Sequence, residues 1–235
     1  MRKWVTKNQY TIYQLLKGGS SVFAVSNGNS LLIVDTSLKP GWKELCRNID
    51  SLTANNEKVT ALIITHAHND HTENAADLKE KYKLKLIAHK NEAKYITSGD
   101  SSIPEGTNAL TRFIANSFMK TESGKLRMKY KPAVVDIEVE DKYDLSSFGF
   151  NAYIIHTPGH TYGSMSIIVD NEIALVGDAM SGLFNSICPP FALDTKLMAE
   201  SWKRLLDTGC SVYLPSHGTE DSREFVSKQY EKYSL

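Results

Sequence analysis

Hydrophobic positions change period along the chain, and each change marks an element. Near the N-terminus, "YTIYQLL" and "SSVFAVSNG" are strand-like, and "SVFAV-SNGNS-LLIVD" sets Asn27-Gly28 between two apolar runs, a hairpin signal. After Pro40 the period lengthens to that of a helix: "GWKELCRNIDSL" puts Trp42, Leu45 and Ile49 near one face. "VTALIIT" is apolar almost throughout, which predicts a strand buried on both faces. A helix over "ENAADLKEKY" and a strand over "LKLIAH" follow.

The segment near 92–131 interrupts this rhythm. Within it "TNALTRFIANSFMK" sets Leu110, Phe113, Ile114 and Phe118 at helical spacing, with Arg112, Asn116 and Lys120 off that face. The expectation is a helical insertion whose apolar side packs its own core. A second strand-rich block then runs through "AVVDIEV", "FNAYIIH", "SMSIIVD" and "EIALVG". A helix near 194–208, a short strand "SVYLP" and a last helix from Asp221 complete the chain, with Asp221 and Glu224 in capping-box spacing. Strands then helices occur twice over. The order predicts an α/β (α+β) fold: two sheets face to face, helices outside, in one unit spanning 1–235.

Composition narrows the class without naming a chemistry. Lys plus Arg and Asp plus Glu balance at 27 each, so no overall field draws nucleic acid or an anionic membrane, and neither is expected as a partner. No apolar run approaches the ~18 residues of a membrane helix, and the N-terminus lacks the apolar stretch of a secretory signal. Cys46, Cys188 and Cys210 are odd in number and form no C-x-x-C, which fits a reducing compartment. A cytoplasmic protein acting on a small molecule is expected.

The chemistry concentrates in "THAHNDHTE", where His66, His68, Asp70 and His71 fall within six positions. Residues two apart on a helix point about 200° away from each other, so His66 and His68 cannot share an ion from a helix. On a strand they share a face, but His71 has the other parity. The cluster therefore belongs where the strand "VTALIIT" breaks into a loop. Imidazole and carboxylate are ligands that suit zinc or non-haem iron. More such residues stand after other predicted strands: His160 in "HTPGHTYGS", Asp178 in "IALVGDAM", His217 in "VYLPSHG".

Together these residues resemble the metallo-β-lactamase-fold superfamily, in its glyoxalase II and lactonase-like branches. "LLIVDT" matches the first motif at Asp35, "HAHNDH" the H-x-H-x-D-H signature, and "GH", "GD" and "SHG" the later His, Asp and His, in order from about Leu31 to Gly218. The resemblance implies a four-layer αββα sandwich with two divalent metal ions at one edge of the sheets, zinc first, iron or manganese as alternatives. Carried over by position, His66, His68 and His160 hold one ion, Asp70, His71 and His217 the other, and Asp178 bridges them. Asp35 orients a ligand histidine from behind. His89 and His156 are left as structural histidines, and Cys188 as a small buried side chain or a loop residue.

The implied reaction is hydrolysis by a metal-bridging hydroxide, with Asp70 orienting it and passing its proton to the leaving group. No G-x-S-x-G motif competes. Only 235 − 217 = 18 residues follow His217, which disfavours a glutathione thioester hydrolase with a long helical C-terminal region. The expected substrate is a small acyl ester, thioester or lactone. Tyr162, Arg112, Lys120 and Phe184 are candidate substrate contacts, with Phe118, Met119, Leu183 and Phe191 as apolar neighbours in the two covering segments. The alternatives are an iron-dependent oxidoreductase of the persulfide dioxygenase kind, a phosphodiesterase, and a non-catalytic metal-binding sensor.

Overall fold

The computed structural model describes residues 1–233 apart from 55 and 184, with the backbone alone at 118, 119 and 127. Seven strands pair in chain order to make the first sheet: β1 (Arg2–Val5), β2 (Thr11–Leu16), β3 (Val22–Ser26), β4 (Ser30–Val34), β5 (Lys58–Ile63), β6 (Lys85–His89) and β7 (Ile137–Val139). Neighbours are antiparallel up to β4 and parallel from β4 to β7. The second sheet holds β8 (Lys142–Asp144), β9 (Ala152–His156), β10 (Met165–Val169), β11 (Ile173–Gly177), β12 (Val212–Pro215) and β13 (Asp221–Ser222). Its strands are antiparallel except for the β11–β12 pair.

The period-two pattern of the central strands explains the layering. In β4, Leu31 and Ile33 point outward, where α1 (Trp42–Thr53), α3 (Ala75–Tyr82) and α4 (Lys90–Ser98) cover them with Leu45, Ile49, Leu78 and Ile96. Leu32 and Val34 point the other way, into the space between the sheets, and meet Ile154, Ile167, Leu175 and Leu214. A third apolar layer sets Ile168, Ala174 and Val176 beneath α7 (Thr195–Asp207) and α8 (Arg223–Tyr230), with Trp202 fully buried. Because both faces of each sheet are covered, the central strands are apolar at most positions. Two sheets flanked by helices, the expected αββα sandwich, result. Among the described residues no helix is long and apolar enough to cross a membrane.

Three expectations need correction. The insertion does not begin at 92, because α4 buries Glu92, Ala93 and Ile96 against the first sheet. The departure starts at Gly99 and returns at Tyr130, whose N–H donates to Gly99 O at 2.9 Å. It carries α5 (Ala109–Ile114), a π-helical turn (Ala115–Met119) and α6 (Glu122–Arg127). Its apolar residues do not form the expected internal face: Leu110 and Phe113 are 68% and 63% exposed, while Thr111 and Ala115 are buried. The reciprocal cap between Asn108 and Thr111 fixes the helix rotation with Thr111 inward. The last helix is capped by Ser222, whose hydroxyl accepts from the Phe225 amide, and Asp221 instead pairs in β13.

Candidate metal centre

β5 runs parallel to β4, β12 runs parallel to β11, and β9 shares the direction of β11 through antiparallel β10. The loops after these strands therefore emerge at the same rim, and they carry Asp35, the His66–His71 cluster, His160, Asp178 and His217. Apolar strand residues cannot continue past the sheet edge, so the chain turns polar there. His68 caps α2 (Asn69–Thr72), a single turn that lifts Asp70 and His71 to the level of His66. Gly177 lets the two sheets close at this rim: its φ is +54°, and a Cβ there would stand 2.8 Å from Thr65 Cβ.

Two ligand groups result. His66 Nε2, His68 Nδ1 and His160 Nε2 lie 2.9, 3.0 and 3.1 Å from one another. Asp70, His71 and His217 form the second group, with Asp70 Oδ2 3.2 Å from His217 Nε2 and 3.7 Å from His71 Nε2. Asp178 stands between them. Its Oδ2 is 3.5 Å from His160 Nε2 and 3.4 Å from His217 Nε2, and its Oδ1 is 3.6 Å from His71 Nε2. All seven residues expected as ligands thus converge, and their arrangement is able to bind metal ions.

The outer ring nitrogens explain which atoms face inward. His160 Nδ1–H donates to Phe191 O at 2.8 Å, which leaves a lone pair on Nε2. The Thr65 hydroxyl donates to Asp35 Oδ2 at 2.8 Å and accepts from His66 Nδ1–H at 3.2 Å. His71 Nδ1–H donates to Asp35 Oδ2 at 2.8 Å. Asp35, at φ +61°, therefore orients His71 directly and His66 through Thr65. Lone pairs aimed at each other repel unless a cation lies between them. Their separations approach the ~3.3 Å expected for nitrogens around a tetrahedral ion at ~2.0–2.1 Å. His71 Nε2 and Asp178 Oδ1 are buried without a hydrogen-bond partner, so the second group also suits a cation.

Electrostatics divides the histidines. Burial, with help from neighbouring histidines, lowers His66 well below its usual range; burial likewise brings His68 to about 3 and His160 to about 4. These three are neutral at pH 7, as ligands must be. For His71, burial acts downward, but Asp70, Asp35 and Asp178 outweigh it and raise the imidazole to about 10. Asp178 above all, then Asp70, raises His217 against its burial. Burial pushes Asp70 upward, yet His71 and His217 hold it well below the usual carboxylate range. The side of the pocket formed by Asp70, His71 and His217 therefore favours positive charge.

A cavity of about 320 Å³ opens above this floor. Its walls are Pro104 and Met128 from the insertion and Ser181, Leu183, Pro189, Pro190 and Phe191 from the segment after Asp178. No Lys or Arg lines it among the described residues. Of the expected substrate contacts, Arg112 and Lys120 are not at the cavity: Arg112 Nε donates to Gly106 O at 3.2 Å within its own loop, and Lys120 is exposed. Tyr162 is 56% exposed and borders a separate cavity with Glu92 and Lys94. Phe184 lies outside the described residues, as do the side chains of Phe118 and Met119. Cys188 is half-buried and not part of the cavity wall.

His89 and His156 are not ligands. Their rings stack at 4.1 Å, His89 donates to Glu140 O and caps α4, and His156 donates to Tyr162 O. Sequence reasoning missed Thr65, Glu92 and Tyr130, which hold ligand-bearing loops in place. Glu92 reads locally as one more acid in the first turn of a helix, and only tertiary structure brings it to the loops.

The comparisons with known proteins agree with this geometry. The metallo-beta-lactamase superfamily model matches residues 16–217. The metallo-beta-lactamase fold-containing protein ST1585 of Sulfurisphaera tokodaii is 27% identical over 165 residues, covering 69% of this chain and 61% of that protein. An atrochrysone carboxyl ACP thioesterase of Claviceps purpurea is 26% identical over 203 residues, covering 85% of this chain. The chain spans 51% of that relative's length. The crystal structure of the BLEG-1 B3 metallo-beta-lactamase superposes with a TM-score of 0.70 at 17% identity, over 95% of this chain and 100% of that one. The chain belongs to the metallo-beta-lactamase superfamily.

Proposed function

We propose that this protein is a metal-dependent hydrolase of a small, uncharged acyl ester, thioester or lactone. The observation that carries the reading is a floor of seven convergent His and Asp side chains beneath a largely apolar cavity that no lysine or arginine lines among the described residues. His66, His68 and His160 would hold one divalent ion and Asp70, His71 and His217 a second, with Asp178 shared. Imidazole and carboxylate donors favour zinc, with iron or manganese as alternatives. When bound, such ions supply an activated water near neutral pH and a Lewis acid for a carbonyl oxygen.

The chain's own residues would do the rest. Asp70 and Asp178 both line the cavity, and the Asp70 side chain is the more exposed of the two, at 26% against 10%. Asp70 can orient an attacking water and carry a proton to the leaving group. Met128, Leu183 and Phe191 would exclude water from the acyl group and hold it by apolar contact. Among the described residues these walls offer no lysine or arginine to pair an anionic group on the substrate, which disfavours charged acyl compounds. The thioesterase named among the relatives supports an acyl substrate. The test is hydrolysis of neutral thioesters, esters and lactones by metal-loaded and metal-stripped protein.

A further inference from the structure

Glu92 is 2% exposed and lies three positions past His89, the last residue of β6, in the first turn of α4. Its Oε2 accepts the Ala67 amide at 2.8 Å, and Ala67 is the residue between His66 and His68. At its other edge the carboxylate packs on Gly163, where a Cβ would stand 2.5 Å from Glu92 Oε1. Burial raises its pKa, and the Ala67 amide, the Thr161 hydroxyl and the Gly163 amide, which favour its charged form, offset only part of that rise. Thr161 directly follows His160. One carboxylate therefore joins the loop leaving β5 in the first sheet to the loop between β9 and β10 in the second. The Tyr130 hydroxyl donates to Ala67 O at 3.2 Å, so the peptide carrying Ala67 is held from both sides.

We infer that Glu92 is a positioning residue for the His66, His68 and His160 ligand group. Donors approach both edges of the carboxylate, and only a carboxylate offers an acceptor oxygen to each. Glutamine would turn an NH2 toward one set of donors. The other ligand group is held differently: Asp35 orients His71, and none of the contacts of Glu92 reaches Asp70, His71 or His217. Removing the charge should therefore loosen one metal position and spare the other. The inference rests on the metal reading proposed above.

The test measures zinc affinity of metal-free protein by competition with a chromophoric chelator, without any turnover assay. A His217→Ala background retains the three-histidine group, and a His160→Ala background retains Asp70, His71 and His217. In the first, Glu92→Gln should weaken zinc binding about 10–100-fold; in the second the change should stay within about twofold. Gly163→Ala, which displaces the carboxylate without removing it, should repeat the pattern and serves if Glu92→Gln does not fold. Equal weakening in both backgrounds, or none in the first, overturns the positioning role while leaving the metal reading intact. Absence of zinc binding by the unsubstituted protein overturns both.

Discussion

His71 Nδ1 lies 2.8 Å from Asp35 Oδ2, and that bond turns the opposite ring nitrogen toward Asp70 and Asp178. Asp35 is 1% exposed and also accepts from the Thr65 amide, so its position is set by the backbone of the ligand-bearing loop itself. The acid that follows β4 thus decides where a histidine of α2 can point.

Asp35→Asn should weaken the metal position built from Asp70, His71 and His217 about 10–100-fold. Zinc competition in a His160→Ala background reads this directly. Unchanged affinity would show that His71 is oriented by packing alone.

Metal uptake should release protons. Acidic neighbours hold His71 at about 10 in metal-free protein, so it carries a proton at pH 7.5, whereas a ligand nitrogen must be unprotonated. Binding at the second position therefore displaces at least one proton, and affinity rises with pH toward 10. Calorimetry in buffers of different ionisation enthalpy counts the protons. A count of zero contradicts a protonated His71.

Asp221 makes a prediction about stability rather than metal. Burial first, then Glu220, raises its carboxyl to about 6, and its Oδ2 is buried without a partner. A raised acid binds its proton more tightly in the folded state. Stability is thus greatest below the unfolded value of 3.8 and is lost as pH rises through about 6. Asp221→Asn should raise stability at pH 7.5 by about 1 kcal/mol, or ~2–4 °C in melting temperature, and change little at pH 4. Thermal melts at the two pH values compare them. An equal shift at both would contradict the assignment.

The β4–β5 region shows why much of the sandwich was legible in the sequence. Strands buried on both faces are apolar at most positions, and polar residues packed just beyond "VTALIIT" mark the rim. The residues of the candidate metal cluster were legible for the same reason, because each lies in a segment that follows a strand end. The insertion was harder to read. Apolar spacing over Leu110, Phe113 and Ile114 indicates a helix but not its rotation, which the Asn108–Thr111 cap decides. Arg112 shows the same limit: its spacing sets it on a helix, yet a hydrogen bond to Gly106 turns it into its own loop. Glu92 carries no local sign that it will meet Ala67 and Gly163, since those contacts span both sheets.

The central claim is that metal held by this cluster drives hydrolysis. Its most direct test pairs metal quantification with a hydrolysis screen on uncharged thioesters, esters and lactones, for the unsubstituted protein, His68→Ala and Asp178→Ala. The account predicts two ions per chain and activity that falls ~10²-fold or more on metal removal or in either variant, with the fold retained and activity restored by metal only in the unsubstituted protein. Hydrolysis that persists in metal-free protein would contradict it.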